Sequence, residues 1–142
     1  MTTYYVDEAV FTLPDRGFVD RTRHRLESPI SGDDPLAVEI RRLPMAPGKS
    51  LRALVDEEIV DTKTKVSGFT VVEQAEVALS GAPAIVVRAR LRALDVPYQQ
   101  LQAHVALGDT WIALVVTGPL SERELCDDTF ERIVRSVEWR TA

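Results

Sequence analysis

The stretch from residue 69 to residue 117 constrains the fold of this chain more than any other. Its apolar residues fall into runs of ten or so, typical of β-strands, and turn sequences separate the runs. Ser80-Gly81 and Gly108-Asp109 are two-residue turns of the kind that joins antiparallel neighbours. The sequence therefore predicts an antiparallel meander in this region. The predicted strands are 69–80, 83–92, 98–107 and 110–117.

The first third of the chain also has strand character. In "PLAVEIRRL" (35–43), Leu36, Val38 and Ile40 lie on one face, and Glu39 and Arg41 lie on the other. We expect strands here at 3–6, 8–13, 18–27 and 35–43.

Two helices complete the predicted elements. Apolar residues recur at helical spacing over about 51–66, after Ser50, and again over about 122–136. Ser121 and Glu124 have the spacing of a capping box. Strands that are followed by helices in this order predict an α+β sandwich. The expected architecture is a mainly antiparallel sheet of about six to eight strands with two principal helices, in a single domain spanning 1–142.

Composition excludes several classes of protein. Apolar residues at 45% and charged residues at 27% are ordinary for a globular chain. A net charge of −5 disfavours a protein that coats nucleic acid. The single cysteine, Cys126, cannot form an internal disulfide. Neither a signal peptide nor a long apolar run is present, so the sequence predicts a cytoplasmic protein without direct membrane insertion.

The sequence offers no catalytic constellation. "GKS" at 48–50 resembles the end of a phosphate-binding loop, but the glycine that this motif requires five positions earlier is Leu43. His24 and His104 are far apart, and no cysteine or carboxylate lies near them at metal-ligand spacing. Cys126 belongs to the apolar stripe of the second helix. We therefore expect no enzyme activity, no metal and no cofactor.

The remaining feature is an arginine-rich sheet surface. Two helices cover only part of a sheet of this size. If the apolar faces of strands 36–42 and 85–91 both pack under the helices, the opposite face presents arginine and glutamine donors, which suit carbonyl and carboxylate acceptors. This face is either a solvated surface or a groove for a partner. Its expected members are Arg23, Arg25, Glu39, Arg41, Arg88, Arg90, Arg92, Gln100, Gln102 and His104.

Several stretches, taken in order, resemble one family. They are "MTTYYVDEAVFTLPDRGFVDRT", "EIRRLPMAPGKSL", "SGFTVVEQAEVALSGAPAIVV", "YQQLQAHVALGDTWIALVVT" and "FERIVRSVEW". Together they are similar to a DcrB-related domain of the PsbP-like α/β sandwich. The resemblance extends over essentially the whole chain and implies that fold.

Among such domains, the chain resembles the Eag chaperones of type VI secretion. That resemblance implies a homodimer whose concave sheets hold the N-terminal transmembrane segments of PAAR- and Rhs-type effectors. It also implies that the homodimer helps to load these effectors onto the VgrG spike, so that VgrG is at most an indirect partner. The groove positions that it implies are Arg23, Arg25, Ala37, Glu39, Arg41, Glu58, Thr62, Val66 and Gln102.

Three functions are therefore expected in order. The first is a cytoplasmic chaperone or adaptor for a secreted effector. The second is a general protein-interaction module of PsbP-like fold without a secretion role. The third is a small-anion-binding protein that uses the arginine-rich face.

Overall fold

The strands and helices follow one another in the order that the sequence predicts, with four strands before each α-helix. The structure, a computed structural model, describes residues 2–6, 9–13, 21–29 and 35–140. Its strands are β1 (Thr2–Val6), β2 (Ala9–Leu13), β3 (Arg23–Pro29), β4 (Pro35–Pro44), β5 (Thr70–Leu79), β6 (Ala82–Ala93), β7 (Val96–Leu107) and β8 (Thr110–Pro119). Its α-helices are α1 (Leu51–Lys65) and α2 (Arg123–Ser136), and a 3₁₀ turn at Leu120–Glu122 precedes α2. The predicted helices agree with these bounds to within a residue.

Six strands form one sheet in the order β3-β4-β8-β7-β6-β5, and every neighbouring pair is antiparallel. β1 and β2 pair with each other as a separate antiparallel ribbon. The α+β class and the antiparallel sheet are confirmed. The strand predicted at 18–27 is shifted, since β3 begins at Arg23; positions 18–20 lie outside the described residues.

Tight hairpins join the strands of the meander. Ser80-Gly81 and Gly108-Asp109 form the predicted two-residue turns. A third such turn, at Leu94-Asp95, joins β6 to β7 and was not among the predictions. Both of its residues have positive φ angles, 50° and 66°, which matches the type I′ hairpin.

Of the two predicted helix N-termini, one is confirmed and one is wrong. Ser50 is the N-cap of α1, and its hydroxyl accepts a hydrogen bond of 3.1 Å from the amide of Ala53. The capping box predicted at Ser121 is wrong. Ser121 lies inside the 3₁₀ turn, and the N-cap position of α2 belongs to Glu122.

The hydrophobic core has two parts, one on each face of the sheet. On one face, α1 packs Leu54, Val55 and Ile59 against β6 and β8, where Val87 and Trp111 are buried. On the other face, α2 packs Cys126 and Phe130 against β7 and β8, where Leu101 and Val116 are buried. We call these surfaces the α1 face and the α2 face.

This arrangement corrects the premise of a single arginine-rich surface. In β4, Leu36 and Val38 point toward the α2 face, whereas Ile85 and Val87 of β6 point toward the α1 face. The apolar sides of the two strands therefore lie on opposite sides of the sheet. Arg88 and its period-two neighbours Arg90 and Arg92 belong to the α2 face, and the other predicted groove residues of the sheet belong to the α1 face. The strand register fixes this division.

Among the described residues, no helix has the length and apolarity that crossing a bilayer requires.

Candidate protein-binding cleft

A cleft of about 440 Å³ lies on the α1 face, between α1 and the β3–β4 edge of the sheet. We call it the α1 cleft. Side chains from the sheet form one wall, side chains from α1 form the other, and three apolar residues lie between them. The lining residues are Arg21, Arg23, Arg41, Leu43, Leu54, Glu57, Glu58, Asp61 and Trp111.

An ion pair bridges the two walls of the α1 cleft. Arg41 Nη2 of β4 lies 2.7 Å from Glu58 Oε1 of α1. Both side chains are only 20–24% exposed, so water screens this pair less than an exposed one. The second carboxylate oxygen of Glu58, Oε2, is buried and has no hydrogen-bond partner among the described residues. The bridge therefore leaves Glu58 with a buried acceptor that no described residue uses.

A second charge cluster lies beside this bridge, on β3 and β4. Glu39 Oε1 forms an ion pair with Arg23 Nε at 2.8 Å, and Glu39 Oε2 lies 3.7 Å from Arg25 Nη1. Arg25 also binds Glu27 at 2.8 Å. Both arginines are more than half exposed, whereas Glu39 is 19% exposed. Their guanidinium groups therefore remain accessible to a partner.

A chain of hydrogen-bonded polar side chains runs along β7 on the same face and contacts β8 at both of its ends. The indole N–H of Trp111 donates to His104 Nδ1 at 3.1 Å, and His104 Nε2 lies 2.7 Å from Gln102 Oε1. The Gln102 amide donates to Gln100 at 2.6 Å, and the Gln100 amide donates to Thr117 at 3.2 Å. Because an indole N–H can only donate, His104 Nδ1 must be the acceptor and Nε2 must carry the hydrogen. Every donor in the chain then points toward Thr117.

Burial keeps His104 neutral within this chain. The side chain is 1% exposed. Desolvation by burial, together with the smaller effect of the positive charge of Arg41, lowers the pKa of His104 from 6.5 to about 3. A protonated ring would also present a hydrogen to the indole N–H of Trp111, where an acceptor is required. The polar chain therefore depends on the neutral ring.

Most predicted groove residues lie together on the α1 face. Thr62 and Val66 follow Glu58 along α1, and the Thr62 hydroxyl donates to the Glu58 carbonyl at 2.8 Å. Three of the predicted residues, Ala37, Gln102 and His104, are less than 9% exposed and offer little surface to a partner. The predicted residues on or along this face are Arg23, Arg25, Ala37, Glu39, Arg41, Glu58, Thr62, Val66, Gln100, Gln102 and His104.

Arg88 and Arg90 do not join this set. Arg88 Nη1 donates to Asp127 Oδ1 of α2 and to Gln99 Oε1, both at 2.9 Å. Gln99 in turn donates to Asp127 at 2.8 Å and is 1% exposed. This triangle ties α2 to the sheet, so Arg88 has a structural role. Arg90 is exposed on the same side of the sheet.

Sequence reasoning missed several residues of the α1 cleft. Leu43 follows Arg41 at period two, so the alternation of β4 could have placed it. Glu57 and Asp61 precede and follow Glu58 on the same helix, and of these three residues the family resemblance implied only Glu58. Trp111 enters through its pairing with Leu43, which alternation does not reveal. The missed lining residues are Arg21, Leu43, Leu54, Glu57, Asp61 and Trp111.

The α1 cleft combines charged and apolar groups. It offers guanidinium donors, carboxylate acceptors and a small apolar floor. Within the described ranges, no group of three or more His, Cys, Asp or Glu side chains is arranged to hold a metal ion.

Solved structures share this fold at low sequence identity. PA94 from Pseudomonas aeruginosa, described as a candidate regulator of unknown function, aligns with a TM-score of 0.81 and 15% identity over 100% of this chain and 99% of its own. LpqN of Mycobacterium tuberculosis, involved in cell envelope biogenesis, aligns with a TM-score of 0.64 and 12% identity, covering 77% of this chain and 65% of its own. The PsbP protein (CyanoP) of Synechocystis sp. PCC 6803 aligns with a TM-score of 0.56 and 10% identity, covering 89% and 95%.

These likenesses establish a PsbP-like fold. No curated protein sequence matches the chain. The family model of DcrB matches residues 8–136, which is most of the length. The chain therefore belongs to the DcrB family.

Proposed function

We propose that this protein is a chaperone or adaptor for the N-terminal region of a PAAR- or Rhs-type effector of type VI secretion. It would keep that region soluble in the cytoplasm and assist its loading onto the VgrG spike. One observation carries the proposal. The groove positions that the Eag resemblance implies come from β3, β4, β7, α1 and its C-cap, and they lie on or along the α1 face, where Arg23, Arg41 and Glu58 line the α1 cleft.

The chemistry of the α1 cleft supports a protein ligand. Arginine and glutamine side chains donate well to backbone carbonyls and carboxylates. Arg23 and Arg25 are exposed, and the α1 cleft has an apolar floor that includes Leu43 and Leu54. A peptide segment can use both kinds of contact.

A small anion is less well served by the same groups. Arg41 is paired with Glu58, Arg23 is paired with Glu39, and the α1 wall adds Asp61. An anion entering the cleft would have to displace or approach these carboxylates. A general interaction module remains the alternative, and the effector experiment below separates it from a chaperone.

We also propose that the protein acts as a homodimer. One α1 cleft is small for an effector segment, and a two-fold pair doubles the surface that surrounds a ligand. Sedimentation equilibrium across micromolar concentrations tests this. A strict monomer of 15.8 kDa would contradict it.

The decisive experiment is co-expression with the N-terminal region of a PAAR or Rhs effector that is encoded next to this protein. We expect that region to be insoluble alone and to co-purify with the wild-type protein. The double change Arg41→Gln with Glu58→Gln removes the bridge without leaving one charge unpaired, so the fold should survive. We expect this variant to retain its melting temperature within a few degrees and to lose co-purification.

The matched control is Asp128→Asn with Arg132→Gln, which removes an exposed ion pair of α2. It should behave as wild type. An effector region that is soluble alone but still binds would favour the general interaction module. Unchanged co-purification in the Arg41 and Glu58 variant would show that the partner binds elsewhere.

A further inference from the structure

The two walls of the α1 cleft carry opposite charges. The sheet wall contributes the cations Arg21, Arg23 and Arg41, and the helix wall contributes the anions Glu57, Glu58 and Asp61. Arg41 and Glu58 bridge the walls. The cleft is therefore a dipolar site rather than a uniformly basic or apolar one.

Each wall keeps charge that a partner can use. Glu57 pairs with Lys49 at 2.6 Å and Asp61 pairs with Lys65 at 2.9 Å, but these four side chains are 45–70% exposed. Exposed pairs of this kind are weak, so a partner cation can replace either lysine at little cost. On the other wall, Arg23 is 62% exposed.

A buried acceptor on the helix wall points in the same direction. Glu58 Oε2 is buried without a hydrogen-bond partner among the described residues, although buried acceptors are almost always satisfied. A bound segment could supply a donor to Glu58 once this side chain, which is 24% exposed, turns Oε2 toward the cleft. A wholly apolar segment could not, and it would also have to desolvate the charges of both walls.

We infer that the α1 cleft binds an amphipathic helical segment with three stripes. Basic side chains face α1, acidic side chains face β3 and β4, and an apolar stripe covers Leu43, Leu54 and Trp111. This inference rests on the proposed function, because it gives the chemistry of the effector segment. It differs from the apolar transmembrane segment that the Eag resemblance implies.

Synthetic peptides test the inference directly. Two helical peptides of about 18 residues, long enough to hold helical structure, share one composition of alanine, leucine, lysine and glutamate. In the segregated peptide, lysine and glutamate flank a leucine stripe on opposite sides, whereas in the mixed peptide both charges occur on both sides. A third peptide carries leucine and alanine alone. Fluorescence anisotropy of each labelled peptide with the full chain gives its affinity, and quenching of Trp111 in a Trp139→Phe background locates the site.

The segregated peptide should bind at least about tenfold more tightly than the mixed one, and high salt should reduce this preference. The double change Glu57→Lys with Asp61→Lys should remove at least about tenfold of its affinity. The control Asp128→Lys with Glu131→Lys makes the same charge change at equally exposed α2 positions and should bind as wild type. Equal binding of the segregated and mixed peptides, preference for the uncharged peptide, or no binding at all would overturn the inference.

Failure here can be told apart from failure of the proposed function. If the effector region co-purifies equally well with wild type and with the Glu57 and Asp61 variant, the chaperone stands and the dipolar site is wrong. If the segregated peptide binds as expected but no effector region co-purifies, the dipolar site stands and the chaperone is wrong.

Discussion

His104 shows how one buried side chain makes the stability of the fold depend on pH. Its pKa of about 3 in the folded protein lies below the ordinary value of 6.5. Between these two pH values the unfolded chain binds the proton more readily, so the free energy of unfolding falls as the pH falls from about 6.5 toward 3. We expect a contribution of up to about 1.4 kcal/mol per pH unit. Above pH 6.5 this slope should vanish, because the ring is then neutral in both the folded and the unfolded state.

Urea denaturation between pH 7 and pH 4 measures this slope. His104→Gln should reduce it, whatever the substitution does to stability at neutral pH, because carboxylates titrate alike in both proteins. His24→Gln, at an exposed position, is the control and should retain the wild-type slope. An identical slope in all three proteins would exclude His104 as its source.

Leu94 adopts a left-handed backbone conformation that is unfavourable for leucine. Its φ angle is 50°, and the side chain is 98% exposed, so it gains almost nothing from packing. Asparagine tolerates the left-handed conformation better than leucine does. Leu94→Asn should therefore raise the free energy of unfolding by about 0.5–1 kcal/mol, measured by thermal melting.

Leu94→Ala provides the comparison for that change. It removes the same exposed side chain without the left-handed preference of asparagine. If alanine stabilised the protein as much as asparagine, the loss of exposed apolar surface would be the cause, and backbone strain would not.

Single residues of the α1 cleft were only partly predictable from the sequence. Arg41 was named by the alternation of its strand and by the family resemblance, and Glu58 by the resemblance alone. Their bridge joins residues 17 positions apart in sequence, and alternation says nothing about such contacts. Trp111 reached the cleft because β8 pairs with β4 in one register. Contacts between elements that are distant in sequence determine which residues line a site. A period-two pattern describes one strand alone and does not contain those contacts.

The α2 helix depends on the polar triangle of Arg88, Gln99 and Asp127. Asp127→Ala removes the acceptor that both partners share, and Gln99 is buried. Leaving buried donors unsatisfied costs about 1–3 kcal/mol, so urea denaturation should show a loss of that size. Asp128→Ala, beside it, breaks only an exposed pair with Arg132 and should cost at most about 1 kcal/mol. Equal losses would show that the triangle does not anchor α2.

At the scale of elements, the sequence predicted nearly every strand and helix but not the side of the sheet on which each helix lies. Alternation in β4 and β6 correctly divides each strand into two sides. It cannot say whether the apolar sides of two strands face the same way, because that depends on the pairing register through β8 and β7. Both faces of the sheet carry buried apolar residues, so each helix packs on a different face and forms a separate core. This is why Arg88 and Arg90 separated from Arg41.

Across the whole molecule, the two cores are separated only by the sheet, and the same strands contribute side chains to both. β7 places Leu101 on the α2 face and the neighbouring Gln102 and His104 on the α1 face, and β6 is divided in the same way. Loosening either core should therefore disturb the strands that support the other. We expect the sheet and both helices to unfold in one cooperative transition, as small single domains usually do.

Trp111 makes this expectation measurable, because it reports on the α1 face. In a Trp139→Phe background, its fluorescence can be followed during urea denaturation together with far-UV circular dichroism. Leu101→Ala leaves a cavity in the opposite core and should cost about 2–5 kcal/mol, as should Ile59→Ala in α1. Both substitutions should move the Trp111 transition to lower urea, and the two signals should coincide in every variant. A Trp111 transition that Leu101→Ala leaves in place would mean that α1 and its strands unfold independently. In that case the α1 cleft could unfold while the α2 core remained folded. The ligand of the α1 cleft would then bind to a part of the molecule whose stability is independent of the α2 core.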